Sequence, residues 1–256
     1  GLPVGKTMKQ MLFYQDLVAL SAEAHGQWKF VPPQDFRFAA EANSIPLLIP
    51  EIGDAAREYP VAFVQLADGQ FTLACILGVR ADENLFVSET DGRWTGRYLP
   101  AFVRRYPFII SEMPDGRQLV CVDQAASSLI GENLSGEALF SEGKPSEMTQ
   151  QLMKFLETFR AQADETAAWV KRINDLGLLE AVSADARLNS GERFVINGLF
   201  MVSEKKLHSL PAAEIQALFE RGDLARIHAH QLSLGHLPKL IDLLAQRQKP
   251  AAATTH

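Results

Sequence analysis

Three Asp-Gly pairs at nearly even spacing constrain this chain more than any other feature: Asp68-Gly69, Asp91-Gly92 and Asp115-Gly116. Each lies between two short apolar runs, and Asp-Gly in that setting is a strong local signal for a hairpin, because the tight turn needs positive φ. The outer two pairs share more than the turn. Tyr59-Pro60 and Tyr106-Pro107 open the preceding runs, each Tyr nine residues ahead of its Asp, and Cys75 and Cys121 fall at similar places in the returning runs. The first half of the chain therefore reads as a β-meander of repeated hairpins.

The hairpins expected are Val61 to Leu66 with Phe71 to Val79, Leu85 to Val87 with Trp94 to Leu99, and Phe108 to Ile110 with Leu119 to Val122. In the second of these runs Phe71, Leu73, Cys75 and Leu77 alternate onto one face, while Thr72, Ala74, Ile76 and Gly78 make the other small and apolar, so both faces are expected to be covered. Ahead of the meander, Trp28 to Pro33 is extended, Ser44 to Pro50 is an apolar run bracketed by prolines and belongs at a sheet edge, and Glu51 to Tyr59 reads as a short helix. A polar stretch from Gly131 to Lys144 marks the main boundary.

Beyond it, Ser146 is a suitable N-cap with Glu147 in the first turn, and Gly177 is a natural terminator. Leu152, Phe155, Phe159, Thr166, Val170 and Ile173 recur at helical spacing between them, which predicts one long helix packed along the meander. Ala184 to Leu188 and Arg193 to Val202 flank Asn189-Ser190-Gly191 as a further hairpin. Three terminal helices follow: one after Pro211 with Ile215, Leu218 and Phe219 inward, one capped by Asp223 and running to Gly235, and one from Pro238. The expected class is α+β: an antiparallel β-meander against a long helix, then a C-terminal hairpin and helices. Residues 8–249 read as one integrated domain, with 8–130 β-rich and 145–249 mostly helical. Residues 1–7 read as a non-native leader before Met8, and 250–256 as a flexible tail.

The 256 residues are 47% hydrophobic, ample for a core, and the net charge of −6 argues against a sequence-independent nucleic-acid binder. No apolar run approaches the roughly 20 residues of a membrane span, and Met8 to Asp16 does not have the pattern of a signal peptide, so the expected location is the cytoplasm. Two cysteines give no disulfide framework and read as buried, reduced thiols.

Few motifs carry chemistry. Gly1 to Thr7 imitates a phosphate-binding loop but is one residue short and follows no strand. His228, His230 and His236 form the only histidine cluster. Residues two apart on a helix point about 200° away from each other, so His228 and His230 are poorly placed to share an ion, and no metal or other cofactor is expected. The densest unusual stretch is Trp94 to Phe108, where five aromatics interleave with Arg97, Arg104 and Arg105. Aromatic faces and arginine forks suit carboxylate, phosphate or peptide recognition, and the same side chains also suit packing on a sheet with arginines spread over it. The candidate ligand-binding set is Trp94, Tyr98, Arg104, Arg105 and Tyr106, with Arg104 or Arg105 anchoring an anionic group against Tyr98 or Trp94.

Tyr98 to Phe108, with Tyr59-Pro60, Asn84-Leu85-Phe86, Asp91-Gly92-Arg93-Trp94, Gly177-Leu178-Leu179 and Leu232-Ser233-Leu234, resembles the SapC family, named for a protein associated with bacterial surface layers. The matching elements run from about residue 10 to 240. The resemblance implies a link to surface-layer or outer-membrane uptake systems of Gram-negative bacteria, near tryptophan-halogenase-like flavoproteins and cupin-like oxygenases. It implies no catalytic residue, and the peptide-transporter permease of the same name is a different, membrane-spanning protein. The favoured function is non-catalytic binding or assembly, with a peptide, a protein or a small anion as partner. An enzyme with a site assembled from scattered residues and a structural surface-layer component are the alternatives; the oligomeric state stays open.

Overall fold

The computed structural model of the protein describes residues 12–248. The leader and tail expected at residues 1–7 and 250–256, and the Gly1 to Thr7 motif, lie outside them. Strand β1 (Leu17–Ala19), helix α1 (Ala22–His25), strand β2 (Lys29–Phe30), strand β3 (Ser44–Pro46) and helix α2 (Ile52–Ala55) make up the lead-in. The first Asp-Gly hairpin joins β4 (Val61–Gln65) to β5 (Phe71–Ile76), with Gly69 at φ +87°, the left-handed conformation that the turn requires. Helix α3 (Ala101–Arg104) precedes the third Asp-Gly hairpin, β6 (Phe108–Glu112) with β7 (Gln118–Asp123).

Between these, Asp91-Gly92 also turns the chain, but strands do not form around it. Ser88 N–H bonds to Arg93 O and Thr95 N–H to Phe86 O, leaving a single bridge between Val87 and Trp94. The ladder stops because the next backbone donors, Arg97 N–H and Tyr98 N–H, are taken by the Glu58 carboxylate at 2.8 and 2.9 Å.

Strands β8 (Ile130–Gly131), β9 (Glu137–Ala138), β10 (Phe140–Ser141) and β11 (Lys144–Pro145) lead into helix α4 (Glu147–Asp175). The side chain of Ser146 accepts the Thr149 N–H at its start, and Gly177, at φ +70°, follows its end. A long hairpin, β12 (Leu179–Arg187) and β13 (Arg193–Val202), comes next, then α5 (Glu204–His208), α6 (Ala212–Glu220), α7 (Asp223–Ser233) and α8 (Leu237–Gln248). The α+β class expected from the sequence is the class observed.

The hairpins are shared between sheets. The largest sheet has the order β12-β13-β4-β5-β3, all antiparallel, with the proline-bracketed β3 at its edge. The β6–β7 hairpin instead pairs with β1 in a separate three-stranded sheet, and β2 pairs with both β8 and β9. Helix α4 packs on β5 and on β6, one from each sheet. Its Trp169, fully buried, stacks on Phe63 of β4 with centroids 5.7 Å apart, and Thr166 Oγ1 accepts the Ile49 N–H at 3.0 Å. In β5 the residues of both faces from Leu73 to Ile76 are buried, as a sheet covered on both sides requires.

Helix α7 packs on β4 and β13 through a buried polar seam. His230 donates from Nδ1 to Val61 O and accepts the Val202 N–H at Nε2, 3.0 Å, while Ser233 Oγ accepts the Val61 N–H at 2.8 Å. Two local expectations for this region change. Phe219, read as inward, is 72% exposed, and Leu218 is the buried residue of its turn. Asp223 is the first helical residue and Gly222, at φ +77°, holds the cap position; the Asp223 carboxylate is buried and pairs with Arg226 at 2.9 Å and Arg172 at 3.7 Å.

Candidate functional site

Two carboxylates shape the loop between β5 and β6. Glu58, just beyond α2, holds the backbone of Arg97 and Tyr98 as described above. Glu51, only 6% exposed, accepts the Leu48 N–H at 2.9 Å, the Ala101 N–H at 2.7 Å and the Tyr98 hydroxyl. Buried Tyr59 locks the same loop from the inside: its hydroxyl donates to Tyr98 O and accepts Trp94 Nε1–H at 3.0 Å. Gly96 passes over this junction with no room for a side chain. A Cβ there would meet the Tyr59 hydroxyl oxygen at 2.0 Å and Glu58 Oε1 at 2.8 Å. Burial raises the pKa values of Tyr59 and Tyr98, and for Tyr98 the bond to Glu51 pushes the same way, so both phenols stay protonated as hydrogen-bond donors.

This clamped loop forms one wall of a surface cleft of about 640 Å³. Thr95, Arg97 and Tyr98 come from the loop, Asp54, Arg57 and Glu58 from α2 and the turn after it, and Lys239 from the first turn of α8. The volume falls within the roughly 300–1,000 Å³ of small-molecule sites. The side chains of Arg57 and Arg97 are exposed and make no ion pair among the described residues, and the Asp54 carboxylate makes neither an ion pair nor a hydrogen bond there. Lys239 lies 3.4 Å from Glu58 O and 5.5 Å from the centre of the Phe86 ring, which steadies it without neutralising it.

The five residues singled out from the sequence are divided by the fold. Trp94 and Tyr98 meet around Tyr59, and of the five only Tyr98 lines the cleft. Arg104 sits beside Tyr98, its Nε donating to Leu99 O at 2.8 Å, its guanidinium 3.9 Å from Glu51 and over the rings of Tyr98 and Phe155. Arg105 lies elsewhere. It is 5% exposed, held between Phe102 and Phe159, each ring centre 4.5 Å from its guanidinium carbon, beside a smaller cavity of about 160 Å³ that Arg160 and Asp164 also line. Burial lowers its pKa, and nearby Tyr14 opposes that shift. Tyr106 stacks on Phe38 and donates to Oδ2 of buried Asp123 at 2.7 Å.

Arg57, Asp54 and Lys239 were not singled out from the sequence. They stand some 40 and 140 residues from Arg97, and no local pattern joins them. The one usable hint was Gly96 inside Thr95-Gly96-Arg97, a glycine whose close approach marks the loop as packed against something. The histidines do not converge: His230 is in the buried seam, His236 Nε2 donates to Ala56 O at 2.9 Å just past the end of α2, and His228 contacts Gln231 on the surface. Among the described residues no group of three or more His, Cys, Asp or Glu is placed to hold a metal ion.

Fold and cleft together define an α+β protein with a clamped surface cleft lined by charges of both signs. The chain belongs to the SapC family, whose model matches residues 20–240 of the 256. That span contains every cleft residue named above. No curated protein and no solved structure matches the chain. Among the described residues no helix is long and apolar enough to cross a membrane.

Proposed function

We propose that this SapC-family chain is a non-catalytic binding or assembly protein, working in the cytoplasm in support of surface-layer or outer-membrane uptake systems, and that it takes its ligand in the Arg57–Arg97–Lys239 cleft. The observation that carries the reading is the contrast inside the cleft: its wall is fixed by Glu58, Glu51 and Tyr59, while Arg57, Arg97 and Lys239 along it make no ion pair among the described residues. A rigid wall with uncommitted charges is preorganised for binding, since little order has to be gained when a ligand arrives. The two phenols nearest the cleft are held protonated, which favours donor roles over proton abstraction.

Native mass spectrometry of the protein purified from its own bacterium tests this, with intact and denatured masses compared. The expected result is a non-covalent small-molecule or peptide adduct that is released unchanged on denaturation. Turnover of that adduct into a product of different mass on incubation would contradict a non-catalytic role.

A further inference from the structure

We infer that the cleft takes a small ligand carrying two carboxylates and one ammonium, the charge pattern of an acidic amino acid; this rests on the binding role proposed above. The argument is one of charge commitment. Glu58 faces the cleft, yet both its oxygens accept backbone N–H groups of the wall, so it is part of the structure rather than a ligand contact. What remains for a ligand is three cations, Arg57, Arg97 and Lys239, and one carboxylate, Asp54. The complement of that set is a molecule with more than one anionic group and a single cationic one.

The cations come from three separate segments, so they approach a ligand from different directions, and two of them are arginines, whose forks match carboxylate oxygens in pairs. Asp54 in α2 and Arg57 in the turn just after it are three residues apart and both line the cleft, so an ammonium next to a carboxylate would suit the pair. A plain dicarboxylate would leave Asp54 facing anionic oxygens, so this residue supplies the selectivity and the arginines supply the affinity.

Isothermal titration calorimetry at low salt decides it, with L-glutamate, glutarate and inorganic phosphate as probes on the whole chain and on two variants. Glutamate is expected to bind at least about tenfold more tightly than glutarate or phosphate. Arg57→Ala with Arg97→Ala should weaken glutamate by about tenfold or more, and Asp54→Asn should bring glutamate and glutarate to within about twofold of each other. Melting curves establish that both variants are folded. Equal binding of glutarate and glutamate by the unmodified chain, a preference for phosphate, or no saturable binding by about 10 mM overturns the inference. The two readings fail separately. If the adduct of the native protein is lost in the arginine variant but is not an amino dicarboxylate, the ligand class is wrong and the cleft stands. If the adduct survives in that variant, the cleft reading falls as well.

Discussion

Arg105 is sealed between the rings of Phe102 and Phe159, with Tyr14 close enough to oppose the lowering of its pKa, while Arg97, eight residues earlier in the same loop, lines an open cleft from a clamped backbone with no carboxylate partner among the described residues. The two share a residue type and a segment, and differ in what surrounds the charge. Taking a guanidinium out of water costs several kcal/mol, which ring faces and hydrogen bonds must offset, so Arg105 is bound into the packing of α4 against the loop. Arg97 is exposed and bears no such desolvation cost. An arginine in an aromatic-rich stretch is therefore informative about function only once its commitments are known.

The sharpest contrast with the cleft comes from the buried side of the comparison. Asp123 is fully buried and accepts the Tyr106 hydroxyl together with the N–H groups of Gln15, Asp16 and Ala125. Asp123→Ala leaves those donors unpaired and should cost about 3–5 kcal/mol in urea unfolding. A loss within experimental error would mean that this interior is not committed in the way described.

A second prediction uses pH. Burial pulls the His230 imidazole down to about 4 from 6.5, against the Val61 carbonyl, which favours the charged ring. With the folded value below the unfolded one, the unfolded chain takes up the proton first as pH falls. Stability is then whole above about pH 6.5 and declines toward pH 4, by about 3 kcal/mol from this residue. His230→Gln should flatten that part of the profile, measured by chemical unfolding at successive pH values, and an unchanged slope would remove His230 as its source.

Gly96 tests the border between the two regions. Gly96→Ala forces a methyl group against the Tyr59 hydroxyl and Glu58, and should cost about 1–3 kcal/mol while loosening the cleft wall. Thermal unfolding gives the first effect, and faster hydrogen exchange at the Arg97 and Tyr98 amides gives the second. The smallest effect is expected in the cleft itself: Arg57→Ala with Arg97→Ala should leave stability within about 0.5 kcal/mol, since both side chains are exposed and neither makes a hydrogen bond or ion pair among the described residues.

Much of the architecture was legible because its signals are local. Asp-Gly writes a hairpin in two residues, and Ser146 and Gly177 mark the ends of α4 by capping chemistry that needs no tertiary information. Sheet membership was not legible, because nothing in β4–β5 or β6–β7 records that β13 lies beside one and β1 beside the other. At Asp91-Gly92 the turn was right and the strands were not, since a carboxylate from Glu58, some forty residues back, takes the donors that a ladder would use. Helical periodicity put Phe219 and Leu218 on the same inward face, whereas the fold buries Leu218 and leaves Phe219 exposed, a choice that depends on tertiary packing and not on spacing. The site was legible in part. The Trp94 to Phe108 stretch contains part of the loop that walls the cleft, Tyr98 included, but Arg57 and Lys239 reach the cleft through tertiary packing alone.

The most direct test of the account compares ligand occupancy by native mass spectrometry in three proteins made in the source bacterium: the unmodified chain, Arg57→Ala with Arg97→Ala, and Arg104→Ala. The account predicts an adduct on the unmodified chain and on Arg104→Ala, and none on the cleft variant. An adduct kept by the cleft variant and lost from Arg104→Ala would contradict it, and would return the binding site to the arginine that the packing already holds.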